Sequence, residues 1–304
     1  MRQTLSRRPV LAALSAGLAF PALARDGKNP LAEAWRPFSV PHDRANAWLT
    51  LPPTPPLPVG GRQGRIPVGG ADLFYARYGR GLPVILLHGG LGNANYWGYQ
   101  IPALAERCDV IALDLRGHGR STMSDAPMSY ALLAADVLAA MDALRIETAA
   151  FVGWSDGAIV GLTLAMHHPD RVERLFSFGA NADPSGLIPN GARTAVFAAY
   201  TARAAAEYRS LSPTPERYGE LVRRMAAMWA AEPRFSAVDL GAIPVPADIA
   251  DGDHDEIIKP QHTRYLAGAI PNATLTFERG SSHFAMLQNP ASFNADVLRF
   301  LGRR

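Results

Sequence analysis

Four short, nearly continuous apolar runs place the strongest constraint on the fold of this chain. Glycine, serine or aspartate stands at or next to the end of each run. The four runs are VILLHG (84–89), DVIALDL (109–115), AAFVGWS (149–155) and RLFSFGA (174–180). Such runs are typical of central parallel strands that are covered on both faces. Helical patterns separate them, as in YALLAADVLAAMDAL. The sequence therefore predicts an α/β fold, a mostly parallel open sheet with helices on both faces.

The charge balance argues against a polyanionic partner. The formal net charge of +3 comes from Arg2, Arg7 and Arg8, and without them 27 basic residues balance 27 acidic ones. A neutral body attracts neither nucleic acid nor an anionic membrane surface. The hydrophobic content of 48% and the charged content of 19% indicate a globular chain with a sizeable core. We expect a small-molecule substrate and no nucleic-acid partner.

Residues 1–24 have the pattern of an export signal. A basic start precedes an apolar run at 10–20, and Ala-Leu-Ala then ends at Ala24. The stretch SRRPVL resembles a twin-arginine signal. We expect export by the matching machinery, cleavage after Ala24 and a periplasmic or secreted protein. The apolar run is too short to cross roughly 30 Å of hydrocarbon, so we expect no stable membrane anchor in the mature form.

Two regions differ in texture from the rest of the chain. Residues 25–65 contain LPPTPPLPVGGRQGR, whose prolines and glycines predict a linker or a strap along the surface. Residues 183–243 hold two helical stretches with no strand between them. Insertions of this length often cover pockets, so we expect a helical lid within a domain at 66–304, a packing appendage being the alternative.

The stretch VGWSDG places a serine where a buried strand meets a helix. Ser155 lies between Gly153 and Gly157. A side chain at a sharp strand–helix turn needs neighbours without Cβ atoms, so that strand and helix can approach closely. The serine then projects into the cleft at the carboxyl edge of the sheet, where ligands bind. This context predicts that Ser155 is a nucleophile.

A serine nucleophile needs a base, and the base needs an orienting acid. His283 follows the strand pattern TLTF and begins the last helical stretch. Carboxylates follow the preceding strand in ADGDHDEII, where Asp251, Asp253 and Asp255 are candidates, and Asp183 is an outside candidate. The order serine, aspartate, histidine is the one that nucleophile-elbow hydrolases use.

Five segments together carry a family resemblance. They are HGGLGNANYW, DLRGHGRS, GWSDG, DGDHDEII and SHFAMLQNP, and they spread over nearly all of residues 66–304. The chain resembles the alpha/beta-hydrolase fold superfamily, closest to small bacterial lactonases and esterases that include 3-oxoadipate enol-lactonase-like proteins. The resemblance implies Asp255 as the acid, through the pattern Gly-x-x-Asp. It also implies an oxyanion hole formed by the backbone N–H groups of Gly90 and Asp156, with Leu91 as a neighbour that could replace Gly90.

Other residues near these segments receive supporting roles. We expect His88 to hold its loop by hydrogen bonds, and Asp114, Arg116 and His118 to brace the next turn. His167, His168 and His262 are expected to be solvated histidines on outer helices. A substrate pocket is expected to include six residues near the catalytic loops, namely Leu91, Tyr96, Trp97, Trp154, Phe284 and Met286.

These inferences predict a serine hydrolase that cleaves carboxylic esters or lactones through an acyl-enzyme. No metal and no organic cofactor is required; the calcium-loop interpretation of DGDHDE fails because the sixth position is Glu256 and the twelfth is His262. The same triad serves C–C bond hydrolases, perhydrolases and aminopeptidases, which remain alternatives. An aminopeptidase would need acids that hold the substrate amine. A non-catalytic binding protein is the alternative from another class.

Overall fold

The computed structural model describes residues 44–302, and this part of the chain forms one eight-stranded sheet flanked by helices. The strands are β1 (Arg62–Val68), β2 (Ala71–Gly79), β3 (Leu82–Leu87), β4 (Cys108–Leu113), β5 (Ala149–Trp154), β6 (Val172–Phe178), β7 (Ala247–Gly252) and β8 (Ala273–Glu278). The helices are α1 (Gln100–Ala105), α2 (Tyr130–Ala143), α3 (Asp156–His167), α4 (Ala195–Leu211), α5 (Tyr218–Ala231), α6 (Ala237–Gly241), α7 (Pro260–Ala269), α8 (Ala285–Gln288) and α9 (Pro290–Leu301).

The sheet order places the four apolar runs at its centre. The order is β1-β2-β4-β3-β5-β6-β7-β8, and the pairs from β4 to β8 are parallel. The carboxyl ends of β5, β7 and β8 therefore meet at one edge, which brings distant segments of the chain together. This arrangement confirms the predicted α/β fold with a mostly parallel sheet.

Alternate residues of the central strands face two separate apolar layers. On β3, Ile85 and Leu87 join a core that includes α2 and α3, whereas Val84 and Leu86 join a second core that includes α1 and α9. Period-two alternation between two buried faces explains why the strand reads as a continuous apolar run. Helices cover both faces, as the sequence predicts.

The first strand was not anticipated from the sequence. Arg62–Val68 begins inside the proposed linker and pairs antiparallel with β2 across the turn at Gly69 and Gly70. Gly70 has a φ of +83°, a conformation that suits glycine in a tight hairpin turn. Pairing with a neighbouring strand, which local composition does not reveal, extends the sheet into this glycine-rich region.

The helical insertion lies between β6 and β7 and contributes α4, α5 and α6. Residues 50–58 precede β1 without helix or strand and lead into a turn at 59–60, and the export signal proposed at 1–24 lies outside the described residues. Within residues 44–302, none of the helices combines the length and the apolar character that crossing a membrane would demand.

Candidate active site

Ser155 occupies a strained turn between β5 and α3. Its φ of 54° and ψ of −119° are unusual for a residue with a side chain, and its N–H donates to Phe178 O at 2.8 Å. A Cβ atom at Gly157 would collide with the carbonyl of Leu87, and one at Gly153 with the first turn of α3. The two glycines therefore permit the close approach that holds Ser155 in this conformation.

His283 and Asp255 form a buried pair at the same edge of the sheet. The Nδ1–H of His283 donates to Asp255 Oδ2 at 2.6 Å, and both side chains are 2% exposed. Because Nδ1 carries this proton, Nε2 is left free to accept one. The imidazole also lies close to Gly179. Gly179 directly follows Phe178, whose carbonyl accepts from the Ser155 N–H.

The structure distinguishes among the candidate acids. Asp183 caps a short turn by accepting from the Ser185 N–H at 2.7 Å, and Asp253 accepts from the Ser281 N–H at 3.3 Å. Only Asp255 among the four accepts a hydrogen bond from His283, within the described part of the chain.

The second oxygen of Asp255 is also satisfied. Its Oδ1 accepts from the backbone N–H groups of Ile257 at 2.6 Å and Ile258 at 2.8 Å. Burial by itself raises the pKa of this carboxyl. The charge and the hydrogen bond of His283 lower the pKa by more than burial raises it, so the net pKa lies below its ordinary value. Asp255 is therefore held ionised and oriented.

Asp251 lies beside the acid as a neutral carboxyl. Its Oδ1 accepts from the Gly252 N–H at 2.9 Å, and its Oδ2 contacts Thr263 Oγ1 at 2.6 Å. Burial and the negative charge of Asp255 raise the pKa of Asp251 well above its ordinary value. Two buried carboxyls this close do not both ionise, so Asp251 keeps the proton.

The cluster of Asp251, Asp255 and His283 also has the composition of a metal site. Their candidate ligand atoms lie within 4.8 Å of one another. These atoms already hydrogen-bond to each other, to Thr263 and to backbone N–H groups. The arrangement fits a hydrogen-bonded pair of acid and base better than a set of free metal ligands.

Carboxylates control the proton affinity of His283. Burial lowers the pKa of the imidazole, but the charge of Asp255 and then those of Glu256 and Asp156 outweigh burial, so the net pKa is raised. Glu256 Oε2 also accepts from the His283 backbone N–H at 3.2 Å. A base of raised pKa takes up a proton from a serine hydroxyl more readily.

A cavity opens onto Ser155 and His283. Its other lining residues come from distant parts of the chain and are mostly apolar: Gly90, Tyr130, Trp154, Asp156, Asn181, Leu187, Ile188, Ala192, Phe197, Tyr200, Trp229, Glu232, Ile257 and Ile258. The insertion therefore supplies a large share of the wall, through Phe197 and Tyr200 of α4 and Trp229 of α5. An apolar cleft with a few convergent polar groups is typical of small-molecule sites.

Asp156 lines this cavity and carries a buried carboxylate. Tyr130 Oη donates to its carboxylate at 2.7 Å and Trp229 Nε1 donates at 2.8 Å. Burial raises the pKa of Asp156, and these two hydrogen bonds counteract the shift only in part. The sequence analysis missed this carboxylate and Glu232; the acidic residue directly after the serine was the only available signal.

The proposed oxyanion donors lie at the cavity wall. Gly90 and Asp156 both line it, and a side chain at position 90 would collide with the Asp156 carboxylate. Asp156 is the first residue of α3, where N–H groups have no partner within the helix. The Gly90 carbonyl accepts from Tyr200 Oη at 2.5 Å, which fixes the loop that carries this peptide group.

Of the six predicted pocket residues, Trp154 lines the cavity and the other five lie elsewhere. Tyr96 stacks on Trp154 with ring centroids 5.3 Å apart, and Phe284 packs 5.0 Å from Tyr200. Trp97 and Met286 are fully buried in the core, and Leu91 is buried with a φ of 67°. These side chains pack in the apolar core behind the site. Large apolar side chains are usually buried in a core, and closeness in sequence to the catalytic loops does not place them in the cleft.

His88 and His118 brace their loops as predicted. His88 Nε2 accepts from the Leu115 N–H at 2.9 Å, so Nδ1 carries the proton and donates to Gly89 O at 2.8 Å. Burial lowers the pKa of His88 to about 4 and that of His118 to about 3. Both rings are therefore neutral structural groups at neutral pH.

The neighbouring bracing residues also behave as expected, but one outer histidine does not. Arg116 binds Asp136 through two buried hydrogen bonds, and Asp114 accepts from the Ala94 N–H at 2.6 Å. The expectation of a solvated His262 was wrong, because His262 is buried and its Nε2 accepts from the Ala182 N–H at 2.9 Å. Helix α7 packs with this residue toward the start of the insertion.

Known proteins share this sequence pattern and fold. Residues 83–197 match the model of the alpha/beta hydrolase fold family. A protein of Azorhizobium caulinodans named carbamate hydrolase RutD is 31% identical over 77% of this chain and 96% of its own length. The enol-lactonase of Burkholderia xenovorans LB400 is 26% identical with a TM-score of 0.64, over 79% of this chain and all of its own.

A third relative has been described as a lactone-degrading enzyme. Est816, an N-acyl homoserine lactone degrading enzyme, is 27% identical with a TM-score of 0.61, over 78% of this chain and 99% of its own. The family match at 83–197 includes the nucleophile turn described above. The chain therefore belongs to the alpha/beta hydrolase fold family and is a hydrolase.

Proposed function

We propose that this protein is a serine hydrolase that cleaves carboxylic esters or lactones through an acyl-enzyme on Ser155. The observation that carries this proposal is the buried hydrogen bond of 2.6 Å between His283 and Asp255. His283 lines the same cavity as the strained Ser155. A base that is oriented by an acid and lines the same cavity as a serine at a sharp turn supports acyl transfer.

Acylation follows from these positions. Ser155 Oγ attacks the carbonyl carbon as His283 Nε2 takes its proton, and the carbonyl electron pair moves onto oxygen. The N–H groups of Gly90 and Asp156 donate to this oxyanion. The intermediate then collapses, the C–O bond to the leaving group breaks, and the alkoxide takes the proton from His283.

Deacylation repeats the same steps with water. His283 takes a proton from a water molecule that attacks the acyl carbon, and it returns that proton to Ser155 Oγ as the carboxylic acid leaves. In a lactone the leaving alkoxide remains tethered, so the product is one hydroxy acid. Each proton that His283 accepts it gives back within the same half-reaction, so the enzyme ends each turnover unchanged.

The cavity wall supports an apolar acyl or alkyl group near the carbonyl. Leu187, Ile188, Ile257 and Ile258 line it together with Phe197 of the insertion. We propose that the insertion acts as a lid that excludes water from this part of the site. The named activities of the relatives, on an enol-lactone, on an acyl homoserine lactone and on a carbamate, all involve an acyl carbonyl.

The test is hydrolysis of p-nitrophenyl esters from acetate to octanoate, and of simple lactones, by residues 25–304 and by Ser155→Ala. We expect turnover by the wild type and loss of activity by roughly a thousandfold or more in the variant, with unchanged circular dichroism. Turnover that survives in Ser155→Ala would refute the proposed nucleophile.

One observation favours a second candidate, hydrolysis of esters or amides that carry an amine near the carbonyl. Asp156 and Glu232 both line the cavity, and its lining residues include no lysine or arginine. Two other acids of the insertion are engaged elsewhere, Glu207 with Asn93 and Glu220 with Arg217. A buried carboxylate with only neutral donors provides a partner for an ammonium group.

The two candidates are separated by a matched substrate pair. Alanine p-nitrophenyl ester and propionate p-nitrophenyl ester differ only in the α-amino group. If the second candidate holds, wild type prefers the amino ester and Asp156→Asn loses that preference while it retains activity on the propionate. Equal kcat/KM for the two esters in the wild type would exclude the second candidate.

A further inference from the structure

The segment before the first strand contacts both sides of the proposed triad. Residues 47–58, here called the strap, begin within the short helical turn Arg44–Leu49 and continue to residue 58 without helix or strand. The relatives described above match 77–79% of this chain but 96–100% of their own length, so this chain carries additional residues. What the strap contacts indicates what it does.

On the acid side, the strap reaches the residue before Asp255. Trp48 stacks on His254 with ring centroids 4.4 Å apart and an angle of 14° between the planes. The His254 N–H donates to Ser281 O at 3.0 Å. This bond joins the loop that carries Asp255, here called the acid loop, to the loop that carries His283, here called the base loop. The stack therefore rests on the junction of the two catalytic loops.

On the base side, Gln288 connects the strap to the residue before His283. Its Nε2 donates to Thr50 O at 2.7 Å and to Ser282 Oγ at 2.9 Å, while its Oε1 accepts from the Ser282 N–H at 2.8 Å. Gln288 is buried, with 6% of its surface exposed. One amide group thus fixes the backbone next to the base and the strap together.

A third contact joins the strap to the insertion. Arg203 of α4 donates to Pro52 O at 2.5 Å and to Leu51 O at 2.8 Å. One turn earlier on the same helix, Tyr200 donates to the Gly90 carbonyl of the proposed oxyanion loop. The strap therefore supports the helix that orients this loop.

The proline-rich composition explains these contacts. Proline has no N–H donor, so the proline-rich part of the strap has few donors of its own and its carbonyl groups remain available to other partners. The partners of Thr50, Leu51, Pro52 and Pro58 are side-chain donors of the domain, and each bond ends on a strap carbonyl. A stiff segment of this kind loses little conformational entropy when it binds.

We propose that the strap is a positioning element for the reaction, holding the acid loop, the base loop and helix α4 in their productive arrangement. Gln288 and Arg203 are its positioning residues on the domain. The proposal rests on the proposed function, because it concerns the rate of the chemical step at Ser155. Small displacements of catalytic groups reduce rates strongly, by about a hundredfold for a shift of 1 Å.

The test uses the full chain with Trp48→Ala combined with Arg203→Met. Arg209→Met is the matched control, because Arg209 lies on the same helix, is exposed and makes none of the strap hydrogen bonds. We expect the double variant to lose kcat on p-nitrophenyl acetate by about tenfold with little change in KM, whereas the control retains both. A kcat equal to that of the control would overturn the proposal, whatever the stability of the double variant.

Two further readouts keep the outcome clear. If the double variant does not fold, Arg203→Met alone carries the same test, because its three side-chain hydrogen bonds within residues 44–302 all go to the strap. If the wild type neither hydrolyses esters nor labels at Ser155 with a fluorophosphonate, the proposed function fails instead. Backbone hydrogen exchange at 281–288 then decides. Faster exchange in the strap variant than in Arg209→Met supports the claim that the strap holds the base loop, and equal exchange overturns that claim.

Discussion

At the scale of single residues, the proton on His283 is governed by the charges around the ring. Burial disfavours the imidazolium, yet Asp255, Glu256 and Asp156 together raise the pKa of His283 above its ordinary value. A general base must be neutral before it can accept the serine proton. Activity should therefore rise with pH as His283 loses its proton, at a pH above the ordinary histidine pKa of about 6.5.

Replacing Glu256 with glutamine tests this electrostatic account. The variant removes a negative charge near His283 while keeping the side-chain oxygen that accepts from the His283 N–H, so the pKa of the ring should fall. We expect the acidic limb of the kcat/KM profile to move to lower pH. Glu216→Gln, at an exposed site outside the cavity, is the control. A limb that does not move would show that Glu256 does not act on the base.

Asp251 should be replaceable by asparagine but not by alanine. Burial and the charge of Asp255 raise the pKa of Asp251 well above its ordinary value, and its Oδ2 contacts Thr263; an amide preserves that shape without a charge. Asp251→Ala leaves buried partners unsatisfied, so we expect a loss of about 1–3 kcal/mol in the free energy of unfolding. Urea unfolding of both variants measures this. Equal losses in both would contradict a protonated Asp251.

At the scale of elements, one hydrogen bond joins the insertion to the proposed oxyanion loop. Tyr200 of α4 donates to the Gly90 carbonyl at 2.5 Å and is fully buried among Tyr96, Trp154 and Phe284. A hydrogen bond to the Gly90 carbonyl holds the loop that also carries the proposed oxyanion donor, the Gly90 N–H. The insertion therefore influences catalysis through its position as well as through the cavity wall.

Tyr200→Phe should lower kcat with little effect on KM. We expect a loss of about tenfold, less than the roughly 100- to 1000-fold cost of deleting an oxyanion donor itself. Tyr208→Phe is a matched control on the same helix, because the buried Tyr208 hydroxyl has no hydrogen-bond partner in the described structure. Steady-state kinetics of both variants tests the coupling, and equal kcat values would contradict it.

Elements with local signals could be predicted, and those that depend on distant contacts could not. The four central strands and Ser155 follow from apolar runs and glycine spacing, which act within a few residues. Strand β1 depends on its pairing with β2, and the roles of Trp229 and Glu232 depend on how the insertion packs around the cavity. The predicted pocket aromatics were misplaced for the same reason, because sequence proximity to the catalytic loops does not distinguish the cleft from the core.

At the scale of the whole molecule, the hydrolase domain carries a strap and, as we propose, an export signal. Residues 1–24 combine a basic start, a short apolar run and small residues at 22 and 24. Export would expose the enzyme to esters or lactones from outside the cell. A reporter fused to residues 1–30 should reach the periplasm, and a version with Arg7 and Arg8 replaced by lysine should remain in the cytoplasm. Retention of the unaltered fusion would remove this proposal.

The central claim, that His283 activates Ser155, is tested most directly by covalent labelling with a fluorophosphonate and peptide mapping by mass spectrometry. The account predicts one label per chain on Ser155, none in Ser155→Ala, and labelling slowed by roughly a thousandfold or more in His283→Gln. Label on a different residue, or a wild-type rate in His283→Gln, would contradict it.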